Sequence, residues 1–569
     1  MRAMKESQEV PSRKALLVLT AMWAAAWFCL TPGCSSSSAG QADLNAVQLY
    51  HVHDFELTSG TAHENPFRVN LSATFTHESG KQIAGLPGFY DGGKTWKIRF
   101  SPTALGCWKG VTVSDDPLLN GIKLPAFQCV LNTNHAVHGG IRVDSRYKHR
   151  FIWSDGTAFV PLGFELDWLA AFHQRLGQPK GKPVDRKDNR FSPAMDLLVE
   201  RGFNYLVSNL YAYRNFSDPV EPYALTPPDM YCFGGTNEKP DFAVLNVDFF
   251  KDFDGAIAAL HERGIAVDLM IQVQNKGVRW PEHNSWQDDD FWRYVVARYQ
   301  AYGNIVWDVS KETFRLLKGD PNHTYALGRI DLIRKNDAYK HLVIAHDPGG
   351  QVNPVDAVCD YVSDQRHLSG EYEHQAVIES ALKYNRDTIR RLGALDKPYV
   401  NVEFGYERGV EPIRTIDNGH VRPWQDMLIW TYAIYAGGGH ANYYYNNTSW
   451  NLVKFSPEPE SWRRYRYLRD LLNMMDLGPM APNNGLVERG MCLAEPGRQY
   501  FIFLPEGGGE SVDLSTVPQK AQVRCAWTDI FTGKTVQVSI QDCKAKTALT
   551  NPLPDKTQPC AVYIKVERR

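Results

Sequence analysis

The chain has 569 residues, 43% of them hydrophobic and 22% charged, so it is globular and long enough for several domains. Its formal net charge is only −2 and it has no long basic run, which argues against nucleic acid as the main partner. Aromatic residues make up 12% of the chain. This fits large aromatic cores as well as sugar binding, in which flat rings stack on pyranose rings.

The N-terminus has the pattern of an export signal. It opens with four positive charges, at Arg2, Lys5, Arg13 and Lys14. An apolar stretch over 15–30 ends at Thr31-Pro-Gly-Cys34, and a serine run follows. Because the stretch is short for a membrane span, we predict a signal peptide of the lipoprotein type over 1–34, lipidated at Cys34. The mature protein is then exported and held at the cell surface or in the periplasm by this anchor alone, with plain secretion as the alternative.

Residues 44–133 read as short strands separated by turns. In one of them, every second residue is apolar: Phe67, Val69, Leu71, Ala73 and Phe75. Alternation of this kind, with turn signals at short intervals, predicts an Ig-like β-sandwich.

Eight cysteines follow the leader, and none forms a CxxC pair or a tight Cys/His cluster. We therefore expect no metal site and no cofactor. Export permits disulfides, and Cys107 with Cys129, on neighbouring predicted strands, is the best candidate pair. Cys543 with Cys560 is a weaker one, and Cys359 in an apolar strand is predicted to be a buried thiol.

From 141 to 480 the pattern alternates between strand and helix. Eight apolar runs begin near Phe159, Asn204, Ala266, Asn304, Leu342, Tyr361, Tyr399 and His440. Helical patterns that stop at a glycine separate many of them: Ser192–Arg201, Phe250–Arg263, Phe291–Tyr302 and Gln375–Leu392. We predict an α/β fold, a (β/α)8 TIM barrel over 141–480, flanked by the N-terminal Ig-like β-sandwich and by a C-terminal β-sandwich over 484–569.

Two of the predicted barrel strands run into glutamates. The run Tyr399–Val402 is followed at once by Glu403, and the run that begins at Asn304 leads to Glu312. Strand carboxyl ends face the active site of a barrel, and two carboxylates there are the equipment for cleaving a glycosidic bond. Asp308, deeper on the same strand as Glu312, is the fallback acid.

The chain also resembles a known family. The segments on which this resemblance rests are Gly88-Phe-Tyr-Asp-Gly-Gly-Lys-Thr-Trp, Phe159-Val-Pro-Leu-Gly, Asn304-Ile-Val-Trp, Val402-Glu-Phe-Gly-Tyr and Trp527-Thr-Asp-Ile-Phe-Thr-Gly-Lys. It resembles apiosidase-like secreted glycosidases, which join an Ig-like domain, a barrel of the clan-A retaining type and a C-terminal domain labelled collagen-binding. The resemblance implies that Glu403 is the nucleophile and Glu312 the acid/base. Clan-A enzymes usually carry Asn directly before the acid/base, whereas this chain has Lys311, a cation that suggests an anionic or sulfated sugar.

Other polar and aromatic residues near strand ends are candidates for substrate contact, and Tyr406 is also expected to orient Glu403 by a hydrogen bond. The substrate-binding candidates are Glu165, Trp168, Asn209, Tyr211, Lys311, His346, His367, Tyr406, His440, Asn446 and Trp450.

Two alternatives stay open for the function. A non-catalytic carbohydrate-binding or adhesion protein would fit the collagen-binding label. A polysaccharide lyase would use a base such as Lys311 or His346. The expected partner is a carbohydrate in every case, and the oligomeric state is left open.

Overall fold

The computed structural model describes residues 45–175, 191–214, 224–316, 318–320, 322–347, 354–367, 374–409 and 419–567. The predicted signal peptide and Cys34 lie outside these ranges. Within them, no helix combines the length and the apolar character needed to cross a bilayer.

The N-terminal region consists of two β-sheets packed face to face. Its strands are Asn45–Gln48, His53–Thr58, Leu71–His77, Gln82–Pro87, Phe89–Tyr90, Thr95–Phe100, Gly106–Ser114 and Lys123–Val130. The first, eighth, seventh, third and fourth form one sheet, and the second, sixth and fifth form the other. Both sheets contribute to one buried core, which includes Phe55, Phe75, Ile98 and Trp108. The predicted sandwich is confirmed.

Eight parallel strands form the barrel. In chain order, barrel strands one to eight are Gly163–Glu165, Tyr205–Asn209, Ala266–Met270, Ile305–Asp308, Val343–Ile344, Val362–Gln365, Tyr399–Glu403 and His440–Tyr443. All eight lie where the sequence predicted them. The helices are α1 Leu169–Arg175, α2 Phe191–Glu200, α3 Val247–His261, α4 Trp286–Tyr299, α5 Thr324–Asn336, α6 Pro354–Val358, α7 His374–Leu395, α8 Trp424–Ala436 and α9 Trp462–Asn473.

The barrel closes on itself and is plugged at its amino end. Seven neighbouring strand pairs form ladders, and strands five and six meet through the hydrogen bond from Asp347 N to Ser363 O, 2.8 Å long. A small antiparallel sheet, Ile141–Val143, Phe151–Trp153 and Ala158–Phe159, shares a core with the barrel interior. Since this sheet blocks the amino end, a substrate has access only at the carboxyl end.

Buried arginines tie the N-terminal sandwich to the barrel. Arg99 of the sandwich contacts Asp254 of α3 at 3.0 Å, and Arg298 of α4 contacts Asp91 of the sandwich at 2.9 Å. Arg298 also lies 2.7 Å from Asp254, so the pairs form one network. Buried arginines need such carboxylate partners, because an unpaired buried charge is costly.

The C-terminal region is again all β. A six-stranded sheet has the order Ala481–Pro482, Met491–Glu495, Gln499–Leu504, Cys560–Glu567, Gln522–Asp529 and Thr535–Ile540. Glu510–Val512 pairs with Thr547–Leu549 in a second, two-stranded sheet. Phe503 packs against Tyr432 of α8, with ring centroids 5.4 Å apart, which joins this region to the barrel.

The predicted disulfides are wrong. All eight cysteines of the described residues are free. Cys107 and Cys129 do lie on paired strands, but Cys107 is opposite Gln128 and Cys129 is opposite Gly106. Because neighbouring strand residues point to opposite faces, a one-residue offset places the two thiols on different sides of the sheet. Cys543 and Cys560 are not bonded either, and Cys359 is buried as predicted.

Candidate active site

A polar cavity of about 770 Å³ opens at the carboxyl end of the barrel. Its lining carries many charged and aromatic side chains, contributed by the ends of several strands and by the loops beyond them. The lining residues used below are Lys276, Lys311, Glu312, Arg315, Gln365, His367, Glu403, Tyr406, His420, Tyr444 and Trp450.

A register shift turns Glu403 toward this cavity. Asp364 of strand six pairs with Asn401, but the next residue, Gln365, pairs with Glu403. Strand seven therefore has one extra residue at Val402, whose side chain lies in the barrel's interior core. Since successive residues of a regular strand point to opposite faces, this bulge allows Glu403 to face the interior as well.

Four side chains hold the buried Glu403 carboxylate. Oε1 accepts hydrogen bonds from Gln365 Nε2 at 3.1 Å and from Tyr406, and His367 Nε2 lies 3.1 Å away. Oε2 faces Lys311 Nζ at 3.1 Å. Burial alone would raise the pKa of Glu403, but the charge of Lys311 and the His367 and Tyr406 contacts hold it well below its usual range. Glu403 is thus ionised and fixed in position.

Lys311 lies at the centre of a buried charged group, the Lys311 cluster, made of Glu165, Asp167, Lys276, Lys311 and Glu403. Lys311 Nζ donates a hydrogen bond to Glu165 Oε1 and lies 3.4 Å from Asp167 Oδ1 and 3.1 Å from Glu403 Oε2. Lys276 Nζ contacts Asp167 Oδ2 at 2.5 Å. Every member is at most 4% exposed, so water screens these charges only weakly.

The cluster contains three carboxyl groups and two ammonium groups, so one proton on a carboxyl makes it neutral. Burial raises the pKa of Glu165 well above its usual range, although Lys311 opposes the shift. Glu165 Oε2 is buried without a hydrogen-bond partner, and such an oxygen is less costly on a neutral carboxyl than on a charged one. Lys311, by contrast, is charged, because Asp167, Glu165 and Glu403 raise its pKa against the effect of burial. Its charge is matched by the protein's own carboxylates, which removes the basis for expecting an anionic sugar.

Glu312 lies in the same cavity but is held loosely. Strand four ends at Asp308, so Glu312 does not close the strand but stands on the turn that follows. Its backbone is left-handed, with φ of 49°, a conformation uncommon for residues other than glycine and often found at functional sites. Its side chain is 14% exposed and its ion-pair partner is Arg315.

The fallback acid Asp308 lies beneath the cavity rather than in it. It is fully buried and its Oδ1 accepts hydrogen bonds from the backbone N–H groups of Ser310 and His346, at 3.1 and 2.9 Å. Burial, followed by the neighbouring Asp268 carboxyl, raises the pKa of Asp308 well above its usual range. These contacts make Asp308 a support for the turn that carries Lys311 and Glu312.

The structure brings six of the predicted site residues to the cavity wall: Lys311, Glu312, His367, Glu403, Tyr406 and Trp450. The hydrogen bond expected from Tyr406 to Glu403 is present, and Trp450 stacks on Tyr406 with ring centroids 5.3 Å apart. Glu165, Asn209 and His346 are buried just behind this wall. Asn209 Nδ2 donates to Asp167 at 3.2 Å, and His346 Nε2 lies 3.3 Å from Gln365.

The other four predicted contacts are neither on the cavity wall nor among the three residues directly behind it. Trp168 and Tyr211 belong to the hydrophobic core between barrel and helices. Asn446 is fully buried in the loop after strand eight. His440 begins strand eight, so it lies at the amino end of the barrel, with its ring 5.5 Å from Phe151 of the plugging sheet. The position of His440 on its strand explains why it is not at the site, because only residues at the carboxyl end of a barrel strand face the open mouth.

Sequence reasoning missed several residues that complete the site. Gln365 ends strand six, so the rule that strand ends face the site applies to it, yet the predicted candidate was His367, two residues further along the chain. Lys276 lies in a 3-10 turn after strand three, where a lysine gives no sign of burial. His420 contacts His367 edge-on, with ring centroids 4.1 Å apart, and its sequence neighbours carry no motif.

Comparison with known proteins places the chain among carbohydrate-cleaving enzymes. Residues 192–469 match the family model described as "Apiosidase-like, catalytic domain", and residues 46–115 match a domain of unknown function, DUF5060. No curated protein matches the chain in a sequence search.

Solved structures of similar fold carry related descriptions. A "putative glycoside hydrolase" from Bacteroides vulgatus ATCC 8482 superimposes with a TM-score of 0.70 at 20% identity, over 92% of this chain and 100% of that one. A glycoside hydrolase family 5 protein from the same organism gives 0.55 at 16% identity, over 75% and 93%. At these identities the likeness shows the fold, and the family model supplies the class of enzyme. Since that model spans the barrel from α2 to α9, the barrel is similar to the apiosidase-like catalytic domain, and the protein is a glycoside hydrolase.

Proposed function

We propose that the protein cleaves a poly- or oligosaccharide with retention of anomeric configuration. One observation carries this proposal: Glu403 and Glu312, which follow strands seven and four, line the same cavity. A retaining enzyme needs two carboxyl groups about 5–5.5 Å apart, one as nucleophile and the other as acid and then base. Glu403 is ionised and fixed, whereas the side chain of Glu312 is partly exposed to the cavity.

In the first step, an oxygen of Glu403 forms a bond with the anomeric carbon as the glycosidic bond breaks. Among the described residues, Gln365, Tyr406 and His367 hold Oε1, whereas Oε2 has one contact, with Lys311. We therefore assign Oε2 as the attacking oxygen. The leaving oxygen takes a proton from Glu312. In the second step Glu312 accepts a proton from water, which attacks the anomeric carbon and releases Glu403.

The substrate stays undefined, but the cavity wall suggests how a sugar would be held. Tyr406 and Trp450 form a stacked aromatic pair beside Glu403. His367 and His420 face the same space. Aromatic faces and hydrogen-bonding side chains together suit a sugar ring, which has apolar faces and a polar edge.

The lyase alternative has little support in the site. A lyase requires a base, but Lys311 is held protonated by three carboxyl groups. Burial lowers the pKa of His346 to about 4, which leaves it neutral, but it lies behind the cavity wall. The other alternative, a protein that binds carbohydrate without cleaving it, gives no role to the buried, ionised carboxylate of Glu403.

We also propose that the protein is exported and anchored through Cys34. The evidence is the charged, then apolar N-terminal sequence that ends at this cysteine. Labelling of cells with a radioactive fatty acid tests the anchor: the wild-type protein should be labelled and the Cys34→Ser variant should not. An unlabelled wild-type protein found in the medium would favour plain secretion.

The catalytic proposal is tested by incubating the protein with a panel of plant and algal polysaccharides. We expect new reducing ends without the ultraviolet absorbance of an unsaturated sugar, and NMR of the first product should show retained configuration. Unsaturated ends would establish a lyase instead. Inverted configuration would contradict the proposed role of Glu403. A panel on which only binding is seen would support the adhesion alternative.

A further inference from the structure

We propose that Lys311 and Glu165 act together as positioning residues that match the charge of Glu403 in both of its states. The proposal rests on the proposed function, in which Glu403 is a carboxylate before attack and an uncharged ester afterwards. Nothing in the mechanism so far uses Glu165, which is fully buried behind the reacting oxygen.

The geometry gives Lys311 two kinds of partner. Its ammonium contacts Oε2, the oxygen that attacks, and it also donates a hydrogen bond to Glu165 Oε1. The ammonium therefore stabilises the ionised form of Glu403 before the reaction. When Oε2 bonds to the anomeric carbon, that negative charge is lost and one partner of Lys311 is neutralised.

A net positive charge left in a buried site would destabilise the ester. The remaining charges of the Lys311 cluster are then Asp167, Lys276 and Lys311 itself, which sum to one positive charge. Glu165, protonated while Glu403 is ionised, restores neutrality by releasing its proton to solvent. The bond changes at the sugar are unaffected, because Glu312 supplies the proton of the leaving group.

The arrangement makes Glu165 useful only when Lys311 is present. Asn209 and Tyr444 support the same geometry by donating to Asp167, at 3.2 and 2.9 Å. Among the described residues, Lys311, His367 and Tyr406 lie against Glu403, and Glu165 and His346 interact with it electrostatically from behind the cavity wall.

A double-mutant cycle tests the proposal on whichever polysaccharide of the panel the wild-type enzyme cleaves. We expect Glu165→Gln to lower kcat/KM about 10- to 100-fold, because the ester then faces an unmatched ammonium. In the Lys311→Met background the same change should cost less than about twofold. Equal costs in both backgrounds would overturn the proposal.

The dependence of kcat/KM on pH distinguishes the role of Lys311 from that of Glu165. Lys311→Met should move the acidic limb of kcat/KM upward by at least about one pH unit, because Glu403 loses its counter-charge. Glu165→Gln should leave that limb in place, because it resembles the protonated form of Glu165. Lys276→Met is the matched control, since Lys276 pairs with Asp167, and it should shift the limb less than Lys311→Met does.

A titration without substrate keeps this test independent of the proposed function. In protein labelled with ¹³C at the glutamate carboxyl carbon, the difference between wild type and Glu403→Gln identifies the Glu403 signal. We expect its pKa to rise in Lys311→Met and to recover in Lys311→Arg, with circular dichroism showing that each variant is folded. An unchanged pKa in folded Lys311→Met would refute the charge-matching role, whereas failure of the catalytic proposal would show as wild type inactive on the panel.

Discussion

The ends of barrel strands four and seven each carry one glutamate, yet the protein holds the two in opposite ways. Glu403 is buried and has four partners, whereas Glu312 stands on a left-handed turn, partly exposed, beside Arg315. A nucleophile must stay ionised and keep one position. An acid that later becomes a base must exchange protons with both the leaving group and water. The contrast therefore matches a division of roles between the two carboxyl groups.

The largest effect should come from removing the fixed carboxylate. We expect Glu403→Gln to lower kcat by at least about 10³-fold, because no other described carboxylate reaches the position of Oε2. Initial rates of reducing-end release measure this. Glu407→Gln is a matched control, because it makes the same change at a buried glutamate nearby that does not line the cavity, and it should stay active. Near-wild-type activity of Glu403→Gln would show that the nucleophile is elsewhere.

Removing the loosely held carboxylate should have a smaller effect, and one that can be reversed. We expect Glu312→Ala to lose about 10²- to 10⁴-fold in kcat, the usual contribution of a general acid/base. Added azide should restore part of the rate and yield a glycosyl azide, because the cavity is open at this position. If azide gives no rescue and Asp308→Ala is inactive though folded, the acid role belongs to Asp308.

Tyr406→Phe tests how much the fixation of Glu403 matters. The change deletes one hydrogen bond to a charged acceptor, a loss of about 1.5–3 kcal/mol, so kcat/KM should fall about 10- to 100-fold. The pKa of Glu403 should rise as well, because Tyr406 helps to keep it low. Tyr444→Phe is the matched control, since Tyr444 donates to Asp167 instead. A loss of activity without any shift of the acidic limb would mean that Tyr406 contacts the sugar rather than positioning Glu403.

Much of the fold was predictable from the sequence, because hydrophobic alternation and helix–glycine–strand units are local patterns. They located all eight barrel strands and both sheet-rich regions. Glu403 was predictable for the same reason, since it directly follows an apolar run. The Lys311 cluster was not, because its five members come from four separate parts of the barrel and only the closed fold brings them together. The misplaced His440 shows the limit of the strand-end rule, which needs the direction of the strand as well as its position.

The smallest expected effect concerns Glu407, which is buried like Glu403 but has no lysine partner among the described residues. It therefore shows what burial does to a glutamate when no cation compensates its charge. Burial raises its pKa to about 7, although hydrogen bonds from Ser461 and from Tyr443 at 2.7 Å oppose the shift. A carboxyl group whose pKa is higher in the folded state stabilises the fold at low pH, and this stability is lost as pH rises from about 4.5 through 7. Glu407→Gln should therefore raise the free energy of unfolding at pH 8 by up to about 3 kcal/mol and give no gain at pH 4.5. Urea unfolding at the two pH values measures this. A gain of equal size at both would mean that packing, rather than burial of the charge, sets the stability at this position.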